Sequence, residues 1–332
     1  MNKLKQAHAY TLRILSSPDH LKTLFLRALK TQEIAYAHKL FDEIPEQTLF
    51  LYNKLIQAYS IQGSYRQCIS LYKQMFSRGL APDHLTFTFV FPVCAALMAW
   101  ELGMMVHGQF VVSCCKGDVY ADTGVVDMYA KMGLLCSARK QFDHMRVRDV
   151  ATWNSLISGY ARGGEMERAR ELFRLMPVRN VVSWTAMVSG YSQNGQYVDA
   201  LRLFLKMEES EVRPNEVTVA SVLPACANLG VSEIGERIED YARQNGYLDN
   251  VLISNALLEM YAKCGRLDAA RVMFDGLGKR RNLCSWNSMI MGLAVHGRYE
   301  AALGLFHEML VSNLCSPSPT MTLRVAYRIS WT

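Results

Sequence analysis

Three tryptophans in this 332-residue chain are each followed by a small amide or hydroxyl residue: Trp153–Asn154, Trp184–Thr185 and Trp286–Asn287. Such side chains donate and accept hydrogen bonds, but without an activating base they are poor nucleophiles. No Ser-His-Asp arrangement, phosphate-cradling glycine loop or metal-ligand cluster accompanies them. The nine cysteines are Cys68, Cys94, Cys114, Cys115, Cys136, Cys226, Cys264, Cys284 and Cys315. None forms a Cys-x-x-Cys pair and no His-x-Glu precedes one, so the ligand spacing of a zinc site or zinc deaminase is missing. The chemistry that remains is recognition by hydrogen bonding, with no cofactor and no catalysis expected.

Half of the residues are hydrophobic and 20% are charged, enough to bury a large core. The formal net charge is +6, compatible with a polyanionic partner. No run of five or six like charges forms a tail. An odd number of scattered cysteines points to reduced thiols in a cell interior or organelle matrix. No run of eighteen apolar residues predicts a membrane span. Residues 1–18 carry Lys3, Lys5 and Arg13 and no acid, faintly like a transit peptide. The stretch LKQAHAYTLRI (4–14) nevertheless resembles the second helix of unit 84–118, with His8 falling at His107. The preferred reading is therefore a helix with its basic residues outward, leaving little room for a separate presequence.

The Trp-containing phrase recurs as VATWNSLISGYARGG (150–164), VVSWTAMVSGYSQNG (181–195) and LCSWNSMIMGLAVHG (283–297). A second phrase recurs between these: AHKLFDEIPEQ (37–47), ARKQFDHMRVRD (138–149), ARELFRLMPVRN (169–180), ALRLFLKM (200–207), ARVMFDGL (270–277) and ALGLFHEM (302–309), with CISLYKQM (68–75) a looser copy. Each unit thus predicts a first helix stopped at a glycine (Gly63, Gly133, Gly164, Gly195, Gly265, Gly297) and a second helix with Ala or Cys four residues before Phe or Tyr, on one face. Ala lets the helices approach and Phe fills the gap to the next unit. The units are 49–83, 84–118, 119–149, 150–180, 181–215, 216–250, 251–282 and 283–317. Residues 1–48 hold incomplete repeats, and 318–332 a divergent tail. Hairpins of this size bury their apolar faces only by stacking, so the expected fold is an all-α solenoid.

These residues resemble plant pentatricopeptide repeats of the subfamily in which three repeat lengths alternate. RGLAPD (78–83) and SEVRPN (210–215) resemble endings of the standard form. HLTFTFVFPVCAAL (84–97) and EVTVASVLPACANLG (216–230) resemble the long form. VVDMYAKMGLLCSARKQFDHM (125–145) and NALLEMYAKCGRLDAARVMFDGL (255–277) resemble the short form. The resemblance implies a right-handed superhelix of helix-turn-helix repeats that binds single-stranded RNA in an organelle, mitochondrion or chloroplast, one repeat per base. It further implies a site-recognition role in RNA modification, chiefly C-to-U editing. The chemistry would belong to a C-terminal extension, which is not expected in this chain, or to an editing deaminase or accessory factor in trans.

In that family the fifth and last residues of each unit read the base. The resemblance assigns this role to Asn53 with Asp83, Thr123 with Asp149, Asn154 with Asn180, Thr185 with Asn215, and Asn255 with Asn282. Asn287 is the fifth residue of the last unit, where Pro317 stands in the reading place and cannot read. Asp suits the N–H edge of uracil or guanine, and Asn the ring nitrogen of adenine or cytosine. Thr at the fifth place leaves room for a purine. The expected target, 5′ to 3′, is U, any, G, pyrimidine, A, any, pyrimidine. The long units, with Thr88 and Asp118 or Ala220 and Asn250, read poorly. Apolar second residues (Phe50, Val182, Leu252) would lie against the bases.

Plainer readings stand beside these. Asp83, Asp149, Asn180 and Asn215 suit helix N-caps, a role compatible with base reading. The tryptophans and the 18 methionines suit packing. His107, His144 and His296 suit solvent or packing positions. Cys94 and Cys226 suit small core positions, and Pro92 and Pro224 suggest a bend or a late helix start. The rival class is a tetratricopeptide-like protein scaffold, disfavoured by the alternating lengths.

Overall fold

The computed structural model describes residues 18–113 and 117–311. The stretch 4–14, Cys114, Cys115, Cys315, Pro317 and the tail 318–332 lie outside them. The described residues hold eighteen α-helices and no strand. They are α1 (Pro18–Lys30), α2 (Ile34–Glu43), α3 (Leu49–Gln62), α4 (Tyr65–Ser77), α5 (His84–Ala96), α6 (Trp100–Val112), α7 (Val119–Lys131), α8 (Leu135–His144), α9 (Val150–Arg162), α10 (Met166–Leu175), α11 (Val181–Gln193), α12 (Tyr197–Glu209), α13 (Glu216–Leu229), α14 (Ser232–Gln244), α15 (Val251–Lys263), α16 (Leu267–Leu277), α17 (Leu283–Val295) and α18 (Tyr299–Val311). Among the described residues no helix is long and apolar enough to cross a membrane.

The chain divides into two compact units, Met1–Gly159 and Tyr160–Thr332. Within the first, α3, α5 and α7 pack in series, each also packing on its own second helix. Within the second, α11, α13, α15 and α17 do the same. A left-handed residue stops each first helix, as Gly63 does at φ 81° and Gly230 at φ 71°, the conformation that glycine adopts without steric cost. In hairpin 84–118 the place of Gly230 is taken by Met98, at φ 51°. Pro92 and Pro224 lie inside α5 and α13. A late start at these prolines is excluded, because Asp83 and Asn215 cap the helices upstream and the proline falls inside a formed helix.

The aromatic residue at the fourth place of a hairpin meets the Phe of the preceding one edge to face. In the first unit Phe41–Tyr52 and Phe142–Trp153 have ring centroids 4.9 and 4.8 Å apart. In the second, Phe173–Trp184 and Phe274–Trp286 lie at 5.1 and 4.9 Å. This is the favoured geometry of ring quadrupoles. An arginine braces the same Phe in three hairpins. Arg148, Arg179 and Arg281 stand 4.7, 5.0 and 4.2 Å from the ring centroids of Phe142, Phe173 and Phe274. The Nε of each donates to the carbonyl of that Phe, at 2.8, 2.8 and 2.9 Å. These cations close helix C-termini, so they are not open charges awaiting a polyanion.

First helices touch through glycine. A Cβ placed on Gly159 would lie 2.8 Å from that of Ala130; on Gly190, 2.7 Å from Ala161; on Gly292, 2.6 Å from Ala262. After the long hairpins the small residue moves to the second helix. Gly103 faces Met128, and Gly235 faces Met260. Cys94 and Cys226 are fully buried, and burial pushes both thiols up to about 12, which makes them inert packing groups.

Candidate nucleic-acid interface

Each first helix after the opening hairpins begins at a polar residue that closes the preceding hairpin. Asp83, Asn180, Asn215 and Asn282 cap α5, α11, α13 and α17. Each side-chain oxygen accepts the backbone N–H three residues on, from Thr86, Ser183, Thr218 and Ser285, at 2.8, 3.1, 2.9 and 3.1 Å. Asp149 likewise accepts from the Thr152 N–H at 2.8 Å. In these four capping boxes the Thr or Ser hydroxyl in turn accepts the cap's own N–H. These caps satisfy donors that every helix N-terminus leaves orphaned.

The fifth-place residue of the preceding hairpin joins the same knot. Asn53 Nδ2 donates to Asp83 Oδ1 at 2.9 Å, and the Thr86 hydroxyl lies 2.7 Å from Asn53 Oδ1. The Thr123 hydroxyl lies 2.6 Å from that of Thr152 and 3.4 Å from Asp149 Oδ1. Thr185 and Thr218 share a hydroxyl contact of 2.6 Å, through which Thr185 is joined to Asn215. Asn255 Nδ2 donates to Asn282 Oδ1 at 3.1 Å, and the Ser285 hydroxyl donates to Asn255 Oδ1 at 2.7 Å. Fifth and last residues 26 to 30 positions apart in sequence are thereby brought together. Burial pushes the Asp83 carboxyl up, but its bonds from the Thr86 backbone and hydroxyl and from Asn53 outweigh it. The carboxyl is held below its ordinary value.

The fifth-place residues are less open than a free reading group would be. Asn53 is 5% exposed, and Asn154, Thr185 and Asn255 are each 8% exposed. Asn53, Thr185 and Asn255 are each tied to a last-place residue, Asp83, Asn215 or Asn282, that is more accessible. Asn287 Oδ1 is buried with no hydrogen-bond partner among the described residues.

The second-place side chains point into solvent: Phe50, Leu85 and Tyr120 in the first unit, and Val182, Val217 and Leu252 in the second, are 45 to 74% exposed. At about 100° per residue, places two, five, nine and thirteen share one face of the first helix. On that face Lys131 pairs with Asp127 and Lys263 with Glu259, both at 2.7 Å and part exposed. Exposed pairs of this kind contribute little and exchange partners readily.

The long hairpins differ. Thr88 donates to His84 O at 2.8 Å, within its own helix. Asp118 caps Ala121 N–H at 2.9 Å, and Asn250 caps Leu252 N–H at 3.0 Å while its amide donates to Glu216. Neither following hairpin has a hydroxyl at its third place, where Ala121 and Ile253 stand.

Sequence reading missed the hydroxyls of Thr86, Thr152, Ser183, Thr218 and Ser285, all fully buried. Their signal was available: Asp or Asn followed three residues later by Ser or Thr at five helix starts. His107 packs against Tyr129, with its Nδ1 2.9 Å from the hydroxyl, and burial lowers its pKa. The His296 Nε2 contacts Ala262 O at 3.0 Å, and His144 is exposed.

Sequence comparison agrees with this architecture. A PPR repeat family profile matches residues 47–96 and 179–228, and a single PPR repeat profile matches 151–181, 253–281 and 284–314. A chloroplastic pentatricopeptide repeat-containing protein of Arabidopsis thaliana is 40% identical over 311 residues, covering 93% of this chain and 68% of that protein. The chain belongs to the pentatricopeptide repeat family. A further Arabidopsis thaliana family member is 55% identical over 311 residues, covering 93% of this chain and 60% of its own length. Against other relatives the chain spans about half their length. The crystal structure of the pentatricopeptide repeat protein PPR10 from maize aligns over 92% of this chain and 51% of its own, with a TM-score of 0.54 and 20% identity. The fold is therefore that of a pentatricopeptide solenoid.

Proposed function

We propose that this pentatricopeptide chain binds single-stranded RNA, one base per hairpin. The fifth and last residues of each standard or short hairpin would read the base edge. The observation that carries the reading is the recurrent hydrogen-bonded knot at Asn53–Asp83, Thr123–Asp149, Thr185–Asn215 and Asn255–Asn282. Each knot sits on a helix whose second residue is a protruding apolar side chain suited to lie against a base. Lys131 and Lys263 would exchange their carboxylates for phosphates. Asn154 with Asn180, and Asn287, complete the set of reading residues by their place in the repeat.

The finer reading rests on the resemblance of the 35-, 31- and 32-residue units to the subfamily of mixed repeat lengths. On that resemblance the chain would act in a mitochondrion or chloroplast to select a cytidine for C-to-U editing. The deamination would be carried out by another domain or by a partner protein. Selection from a random RNA pool tests the reading. The enriched sequence should be U, any, G, pyrimidine, A, any, pyrimidine, and the logarithm of its binding constant should fall linearly with log salt concentration. Enrichment from a peptide pool with none from the RNA pool would instead indicate a protein scaffold.

A further inference from the structure

The third-place hydroxyls do more than close helix ends. At the seam after hairpin 181–215, Thr218 Oγ1 lies 2.6 Å from Thr185 Oγ1 and 2.9 Å from Asn215 Oδ1. At the seam after 251–282, Ser285 Oγ lies 2.7 Å from Asn255 Oδ1 and 3.1 Å from Asn282 Oδ1. At the seam after 49–83, Thr86 Oγ1 lies 2.7 Å from Asn53 Oδ1 and 2.8 Å from Asp83 Oδ1. All three hydroxyls are fully buried, so water does not stand in for them.

The bonding has a direction. A helix N-terminus offers only N–H donors, so the capping side chain turns an oxygen inward. A last-place Asn must then turn its Nδ2 outward and present donors. A last-place Asp presents its second oxygen, an acceptor only. The fifth-place Asn is fixed in the same way. Its Oδ1 accepts the third-place hydroxyl and its Nδ2 spends one proton on the last residue, leaving one N–H for a ligand. Reversing the last-place amide would bring its Nδ2 against the helix N–H, donor against donor, and reversing the fifth-place amide would bring its oxygen against the last residue's oxygen, acceptor against acceptor.

We infer that Thr86, Thr152, Thr218 and Ser285 are positioning residues that set which atoms of the reading pair face the base. They thereby control base preference while touching no RNA. This rests on the base-reading function proposed above. The seams with Ala121 and Ile253 lack the device, so hairpins 84–118 and 216–250 discriminate least among bases.

The test uses the full chain and four RNA heptamers that differ only at the fifth base, which hairpin 181–215 would read. Wild type should prefer A. In Thr218→Val the residue 218 N–H still donates to Asn215 Oδ1, so that half of the capping box survives while the hydroxyl's ties to Thr185 and to the Asn215 N–H are lost. The preference for A should fall at least about tenfold, with preferences at the other bases unchanged. Thr218→Ser keeps the hydroxyl and should keep the preference. The inference is overturned if Thr218→Val retains the A preference within about twofold, or if it weakens all four heptamers equally, as a purely structural role would. Absence of any base preference in wild type would overturn the base-reading assignment itself, and this inference with it.

Discussion

The seams that follow hairpins 49–83, 119–149, 181–215 and 251–282 are tied by a three-residue polar knot. Those that follow the long hairpins 84–118 and 216–250 are not. Thr88 bonds back to its own helix and Asn250 turns to Glu216, while Ala121 and Ile253 leave no hydroxyl to join them. The packing shows a related contrast. After three of the shorter hairpins Gly159, Gly190 and Gly292 bring first helices against Ala130, Ala161 and Ala262. After the long hairpins the glycine, Gly103 or Gly235, sits on the second helix under a methionine. The lesson is that the third-place residue, and not repeat length, separates the two kinds of seam, since hairpins 49–83 and 181–215 have the same 35 residues as 84–118 and 216–250. Thr or Ser there makes the seam polar and directional, and Ala or Ile leaves it apolar.

The sharpest way to break this contrast is at the tight glycines. Gly190→Ala should destabilise the chain by about 2 kcal/mol, the usual cost of overpacking, measured by urea unfolding. Gly108→Ala, inside α6 with nothing within 4 Å, should instead stabilise by about 0.5–1 kcal/mol through helix propensity. Equal effects at both sites would remove the packing half of the comparison.

Next in size are the caps. Asn215→Ala removes a capping box and frees the Thr185–Thr218 pair, and should cost about 1–2 kcal/mol. Asn250→Ala, with no knot to lose, should cost about 0.5 kcal/mol. Within the long hairpins, Met98→Gly should gain about 0.5–1 kcal/mol by relieving the left-handed Met. A loss on thermal melting would mean that the Met98 side chain contributes packing that its exposure hides.

The smallest expected effect is on pH dependence. The Asp83 carboxyl is held below its ordinary value by hydrogen bonds, so it stabilises the folded state above that value. The contribution is lost as pH falls through the lowered value. Wild type should therefore lose more stability than Asp83→Asn between about pH 5 and about pH 2, and a steeper loss in the variant would contradict the account of the seam.

Much of this was legible in the sequence. Helix pairs, left-handed glycine stops and the Ala-to-Phe spacing follow from periodicity, because each uses neighbours along one helix. The base-reading assignments for Asn53, Thr185 and Asn255 came from family wording, and their mutual hydrogen bonds required the fold. Contacts across a seam leave a weaker trace. Thr218 reads as an ordinary first-turn residue until Thr185 is brought beside it, and Gly190 reads as a flaw in a helix until Ala161 is seen to fill its space. Arg148, Arg179 and Arg281 counted toward a polyanion-seeking charge, yet each is engaged with a Phe ring and carbonyl. Net charge alone cannot distinguish a brace from a binding group.

The most direct test of the central claim is RNA selection with wild type and Thr185→Asn in parallel. The account predicts that the fifth enriched base changes from A to a pyrimidine while the other positions keep their preferences. An unchanged fifth base in a folded variant, or a shift at some other position, would contradict it.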